Sequence, residues 1–113
     1  MKERSQTLID PFMAPEFAPD SPYSPSDGTV AWRTATNGHI VLEVYQRANH
    51  TYGFRYTAWV AWRDAGGEAR GHSWWQTEPE GLVTDEYDTA CTVAERHAWS
   101  KGVELESPWR SVV

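Results

Sequence analysis

Residues 54–76 read FRYTAWVAWRDAGGEARGHSWWQ and hold four of the chain's seven tryptophans. From Phe54 to Arg63 aromatic and β-branched residues alternate with small or polar ones, the strongest strand signal in the chain. Asp64-Ala65-Gly66-Gly67 is a turn, and Glu68 to Gln76 returns as a partner strand. Closing this hairpin on Gly66 pairs Trp62 with Ala69, Val60 with Gly71, Ala58 with Ser73 and Tyr56 with Trp75. Large then faces small in most pairs, as a packed face requires. The same register sets Arg63 against Glu68, Trp59 opposite His72 and Thr57 opposite Trp74.

Upstream, Val30, Trp32 and Thr34 alternate with Ala31 and Arg33. After Thr36-Asn37-Gly38, Ile40, Leu42 and Val44 alternate with Val41, Glu43 and Tyr45. A two-residue Asn-Gly loop would pair Trp32 with Glu43 and split the apolar residues between faces. A three-residue loop with Gly38 as a bulge pairs Trp32 with Leu42 and Val30 with Val44, giving one coherent apolar face, and is the expected register.

Downstream, a helix is expected from about Asp85 to Lys101. Thr84 serves as N-cap, acids fill the first turn, and Gly102 ends it. Its inward stripe is Tyr87, Ala90, Cys91, Ala94 and Ala98, small enough for the helix to approach Trp62, Trp32 and Trp75 closely. The fold expected is α+β: a four-stranded antiparallel meander with one C-terminal helix on one face, β-β-β-β-α.

Five of the seven prolines lie in residues 10–28, with Phe12, Met13, Phe17 and Tyr23 between them. Proline fixes φ and removes donors, so this stretch is extended, neither helix nor central strand. The chain divides into a Pro-rich arm, 1–28, and a single α+β domain, 29–113. The arm either straps across its own domain or docks elsewhere.

Net charge is −6, spread unevenly: −3 over residues 1–28, +2 over 29–76 and −5 over 77–113. This acidity argues against nucleic acid as a partner. The single cysteine excludes an intrachain disulfide, and no stretch has signal-peptide or transmembrane character, so a cytoplasmic location and no membrane partner are expected.

Alternation places Arg33, Val41, Glu43, Tyr45, Arg55, Thr57, Trp59, Arg63, Arg70, His72 and Trp74 on the face away from the helix. Trp59, Trp74, Tyr45, Arg33, Arg55, Arg63, Arg70 and His72 form the candidate binding set, because Trp, Tyr and Arg together make interface hot spots. Three covers compete for this face: the arm, a protein (a second copy included), and an anionic or stacking small molecule or single-stranded nucleic acid.

Chemistry finds little support. His39, His50, His72 and His97 make no metal-ligand spacing, so no metal or cofactor is expected. His72 lacks an adjacent carboxylate, Glu43 being two strands away, and Cys91 sits on an apolar stripe as a core thiol. The expectation is a non-enzymatic binding protein that engages a protein partner or forms a homodimer through the Trp/Arg face and the arm. The alternative is a small-molecule or weakly enzymatic domain with His72, Arg55, Arg70 and Trp59 lining a pocket. A second alternative uses the acids at 78, 80, 85, 86 and 88 to dock on a basic partner, as an acidic inhibitor does.

Overall fold

The structure is a computed structural model. It describes residues 10–13, 19, 23–63, 66, 69–78, 81–106 and 108–112, with backbone alone for 10, 11 and 69–72. Among these residues six strands and one helix follow in the order β1 (Asp10–Met13), β2 (Thr29–Thr34), β3 (Ile40–Gln46), β4 (Tyr52–Arg63), β5 (Ala69–Glu78), α1 (Tyr87–Ser100) and β6 (Arg110–Ser111). The fold is α+β with an antiparallel sheet and one C-terminal helix. The four expected strands are present, and two short ones, β1 and β6, add to them. β4 is the spine: β3 pairs with residues 52–58 and β1 with residues 60–63, while β5 pairs with residues 56–63. β3 and β1 therefore share one edge of β4, and β5 takes the other. β2 lies outside β3, and β6 outside β2.

The β2–β3 register is the one the single-face argument rejects. Trp32 pairs with Glu43 and Arg33 with Leu42, and the ladder shifts between Thr29 and Ala31. Gly38 takes the turn at φ +77, and Asn37 Oδ1 accepts the His39 N–H at 2.8 Å. The physical reason is that β3 is buried on both sides: every residue from Ile40 to Val44 is at most 1% exposed. A criterion that assumes one solvated face cannot choose a register there.

The β4–β5 register also differs. Arg63 pairs with Ala69 and Trp62 with Arg70, a slip of one residue from expectation. A bulge at Gly71-His72 then shifts the rest further, so Ala61 pairs with Ser73, Val60 with Trp74 and Trp59 with Trp75. Trp74 and Trp75 thereby exchange faces relative to the expected hairpin.

α1 packs on β3 and β4. Ala90, Cys91, Ala94 and Ala98 bury against Ile40, Leu42, Val44, Phe54 and Tyr56, and the tryptophans expected beneath the helix lie elsewhere. Tyr87 is exposed, its ring edge-on to Tyr52 at 5.9 Å. The helix starts later than expected because Thr84 is in use: its C=O accepts the Tyr52 N–H and its N–H donates to the Tyr52 C=O. At the other end Gly102, φ +76, donates to the Trp99 C=O and Val103 to the Ala98 C=O, with the Val103 side chain buried. This is the glycine stop seen in the sequence. The following tail bridges Leu105 to Ala35 and lays β6 along β2.

Burial raises the Cys91 thiol, opposed by a Tyr87 hydrogen bond; burial and then Glu78 raise Tyr56; and burial, then Cys91, push Tyr87 up to about 12. All three keep their protons to higher pH in the fold than in the unfolded chain. Their stabilising share is full below about pH 8 and is lost as pH rises through the folded values. Urea unfolding at stepped pH should show a midpoint that falls steadily above about pH 9.

Candidate binding face

The face opposite the helix is built around Glu43, whose side chain is 1% exposed. Its Oε2 accepts the Ser26 backbone N–H at 2.9 Å and the Thr29 hydroxyl at 3.1 Å. Its Oε1 faces the Arg55 guanidinium at 3.6 Å. A carboxylate removed from water requires such partners. Here they come from the arm, β2 and β4 at once, so the charge ties three segments together.

Beside this centre, Arg55 lies over the Tyr45 ring at 4.0 Å and Arg47 lies against the same ring at 4.9 Å. Arg47 donates to the Tyr45 hydroxyl and to the backbone carbonyls of Tyr52 and Leu82. Tyr45 stands opposite Gly53, where a Cβ would sit 2.6 Å from the Tyr45 hydroxyl. Only glycine leaves room for the ring to lie down on the strand.

The rest of the face is aromatic. Trp59 is 2% exposed and packs edge-on to Trp75 at 5.2 Å, with Ala61 and Phe12 completing the cluster. Tyr23, from the arm, sits 5.8 Å from Trp32 on β2 and 5.8 Å from Trp75 on β5. Its ring thus reaches across the sheet between two tryptophans, and Val41 and Thr57 on the intervening strands are buried. Arg110 of β6 lies over the far side of this cluster, 4.8 Å from the Trp32 ring centre. The Tyr23 hydroxyl and Trp59 Nε1 are buried with no hydrogen-bond partner among the described residues.

The eight candidate residues do not share one open surface. Trp59, Tyr45, Arg55 and Arg63 do lie on the face away from the helix, but Trp59 is covered and Arg55 is engaged by Glu43. Arg63 is exposed over the Phe12 ring at 4.2 Å. Arg33 lies on the helix side, bound to the Glu95 carboxylate and the Glu106 carbonyl, because the observed register turns it over. Trp74 is also on the helix side, 5.4 Å from Trp62. The side chains of Arg70 and His72 lie outside the described residues. Residues that alternation did not single out for this face are Trp32, Trp75 and Tyr23; Glu43 was placed on it but not counted in the binding set. The signals were Gly71, an isolated strand glycine that marks a bulge, and a tyrosine set between Pro22 and Pro25.

A second concavity, about 220 Å³, lies on the helix side between Met13, Tyr56, Val60, Gln76, Glu78 and Lys101. Glu78 there meets His97 Nε2 at 3.4 Å and Lys101 Nζ at 3.3 Å. The His97 ring packs between Phe54 and Tyr56. Among the described residues no group of three His, Cys, Asp or Glu could hold a metal, and no helix is long and apolar enough to cross a membrane.

Two substitutions read this face. Glu43→Ala leaves Arg55, the Thr29 hydroxyl and the Ser26 N–H without their acceptor, and should cost about 3 kcal/mol in urea unfolding. Tyr23→Phe removes a buried hydroxyl that lacks a partner and should stabilise by about 1 kcal/mol; a loss of stability would show that the hydroxyl is satisfied. No protein family, curated protein or solved structure matches the chain.

Proposed function

We propose that this is a non-enzymatic protein-binding domain whose aromatic trough, walled by Trp32 and Trp75 above Trp59, holds a proline-flanked aromatic residue of an extended segment. The observation that carries the reading is the Tyr23 ring between Trp32 and Trp75. Proline-rich segments are prepaid in conformational entropy and keep their carbonyls free, which suits aromatic grooves that offer N–H donors. Trp59 Nε1 is such a donor, with no acceptor among the described residues. In this reading the chain's own arm is the resident occupant and a partner's segment competes with it.

The test uses the full chain with Tyr23→Ala, which empties the trough, and a synthetic peptide of residues 17–28, FAPDSPYSPSDG. Tryptophan fluorescence should report binding with Kd on the order of 100 µM. Wild type should bind at least about tenfold more weakly, since its arm holds the site most of the time. Adding Trp32→Ala should abolish binding. A Tyr23→Ala chain that ignores the peptide, or a Trp32→Ala double variant that binds equally well, overturns the proposal.

The helix-side concavity favours a small-molecule reading in second place. Its 220 Å³ falls below the roughly 300–1,000 Å³ of ordinary ligand sites, and Glu78 in its lining already engages His97 and Lys101.

A further inference from the structure

Trp32 has two neighbours of different kinds. The Tyr23 ring of the arm lies 5.8 Å from it, and the Arg110 guanidinium lies 4.8 Å from the same ring centre. Arg110 is there by register: it pairs with Trp32, Trp32 with Glu43, and Glu43 with Arg55. Side chains directly opposite share a face, so the row Arg110, Trp32, Glu43, Arg55 crosses four strands on the arm side. At one end of the row the charges answer each other, Arg55 facing Glu43 at 3.6 Å. At the other end Arg110 is exposed and meets no carboxylate among the described residues.

Other arginines of the sheet are placed differently. Arg33 is bound to Glu95, and Arg47 to the Tyr45 hydroxyl and two carbonyls. Arg63 stacks on Phe12, a ring that Tyr23 does not share. The arm therefore fills the trough and leaves the cation beside Trp32 unanswered. A flexible tether holds the arm at an effective concentration on the order of mM. A segment that displaces it needs an interaction that the arm lacks, and Arg110 offers one.

We propose that the partner's segment carries an acidic residue immediately after its aromatic, and that this carboxylate pairs with Arg110, a proposal that rests on the trough reading and adds the chemistry of its partner. The position follows from the path of the arm. Tyr23 lies at Trp32, and Ser26 donates its N–H to Glu43, the cross-strand neighbour of Trp32. Ser24 falls between these two anchors and is exposed. The 5.8 and 4.8 Å spacings laid end to end span at most about three residues of polyproline helix, at roughly 3.1 Å each, so a side chain beside the aromatic can reach the guanidinium. An acid in the place of Ser26 would instead meet the Glu43 carboxylate, like charge against like. Guanidinium matches carboxylate with two parallel donors, and the indole beneath holds Arg110 in place, so less freedom is lost on pairing. The chain as a whole carries −6, so no long-range field draws an acidic segment in. The pair acts locally, within a Debye length of about 10 Å at 0.1 M salt.

The experiment uses the full chain with Tyr23→Ala and two forms of the peptide of residues 17–28, one carrying Ser24→Glu and the other Ser24→Gln. The two forms differ by one charge and little in size. At low salt the Glu form should bind roughly fivefold tighter, the upper range for an exposed ion pair. Arg110→Gln, added to the Tyr23→Ala chain, keeps a stem near Trp32 and removes the charge; it should bring the two forms to equal affinity. The measure is the ratio of the two affinities, so a general weakening of the trough by that substitution does not enter. Should the double variant unfold, salt gives a second measure: at about 1 M the ratio should fall toward one. Equal affinities for the Tyr23→Ala chain at low salt, a Glu preference that survives Arg110→Gln, or a preference that salt leaves intact overturns the acidic partner and leaves the trough standing. A Tyr23→Ala chain that binds neither form overturns both.

Discussion

Burying Glu43 constrains everything around it. An ionised carboxylate moved from water into a protein interior costs several kcal/mol even after relaxation, unless charge and hydrogen bonds replace the lost hydration. The replacements are a guanidinium on β4, a hydroxyl on β2 and a backbone N–H in the arm. Because Glu43 stands on β3 between Trp32 and Arg55, the β2–β3 and β3–β4 registers bring these partners within reach together. Sliding either strand by one residue would turn Glu43 or its partners to the helix side.

The same constraint converts the face opposite the helix from a solvated surface into a second core. The arm, held at Ser26, brings Tyr23 over the sheet, and β1 brings Phe12 against Trp59. Arginines that composition suggests as free recognition groups are largely spent inside the molecule. Arg33 clips the helix and tail to β2, Arg47 holds the turn and the Leu82 segment, and Arg55 answers Glu43.

The alternation in residues 29–46 and 54–63 reads directly as strands, because period-two patterning survives whatever lies on the two faces. The small-residue stripe from Ala90 to Ala98 and the stop at Gly102 read directly as a helix and its end. Register does not read in the same way. It was legible only on the assumption that one face is wet, and Val41 and Glu43, both buried, violate that assumption. On β5 the bulge at Gly71-His72 exchanges the faces of Trp74 and Trp75 and dissolves the expected Trp59–Trp74 patch. Thr84 resembles a cap in sequence, yet its backbone is already taken by Tyr52. No local pattern carries these facts, since each depends on a segment distant in the chain.

That dependence on distance has a kinetic side. β1 reaches from Asp10 to Arg63, and β6 reaches back from Arg110 to Trp32. Both short strands join the sheet through partners far away in sequence. Contacts so far apart in sequence slow folding, because loop closure must precede the contacts that reward it. During synthesis β2, β3, β4 and β5 can assemble before the helix, while the outer flank of β2 stays bare until residue 111 has emerged. A nascent chain therefore carries a tryptophan-bearing strand edge uncovered from the emergence of β2 until that of β6, an interval in which contact with other unfolded chains matters most.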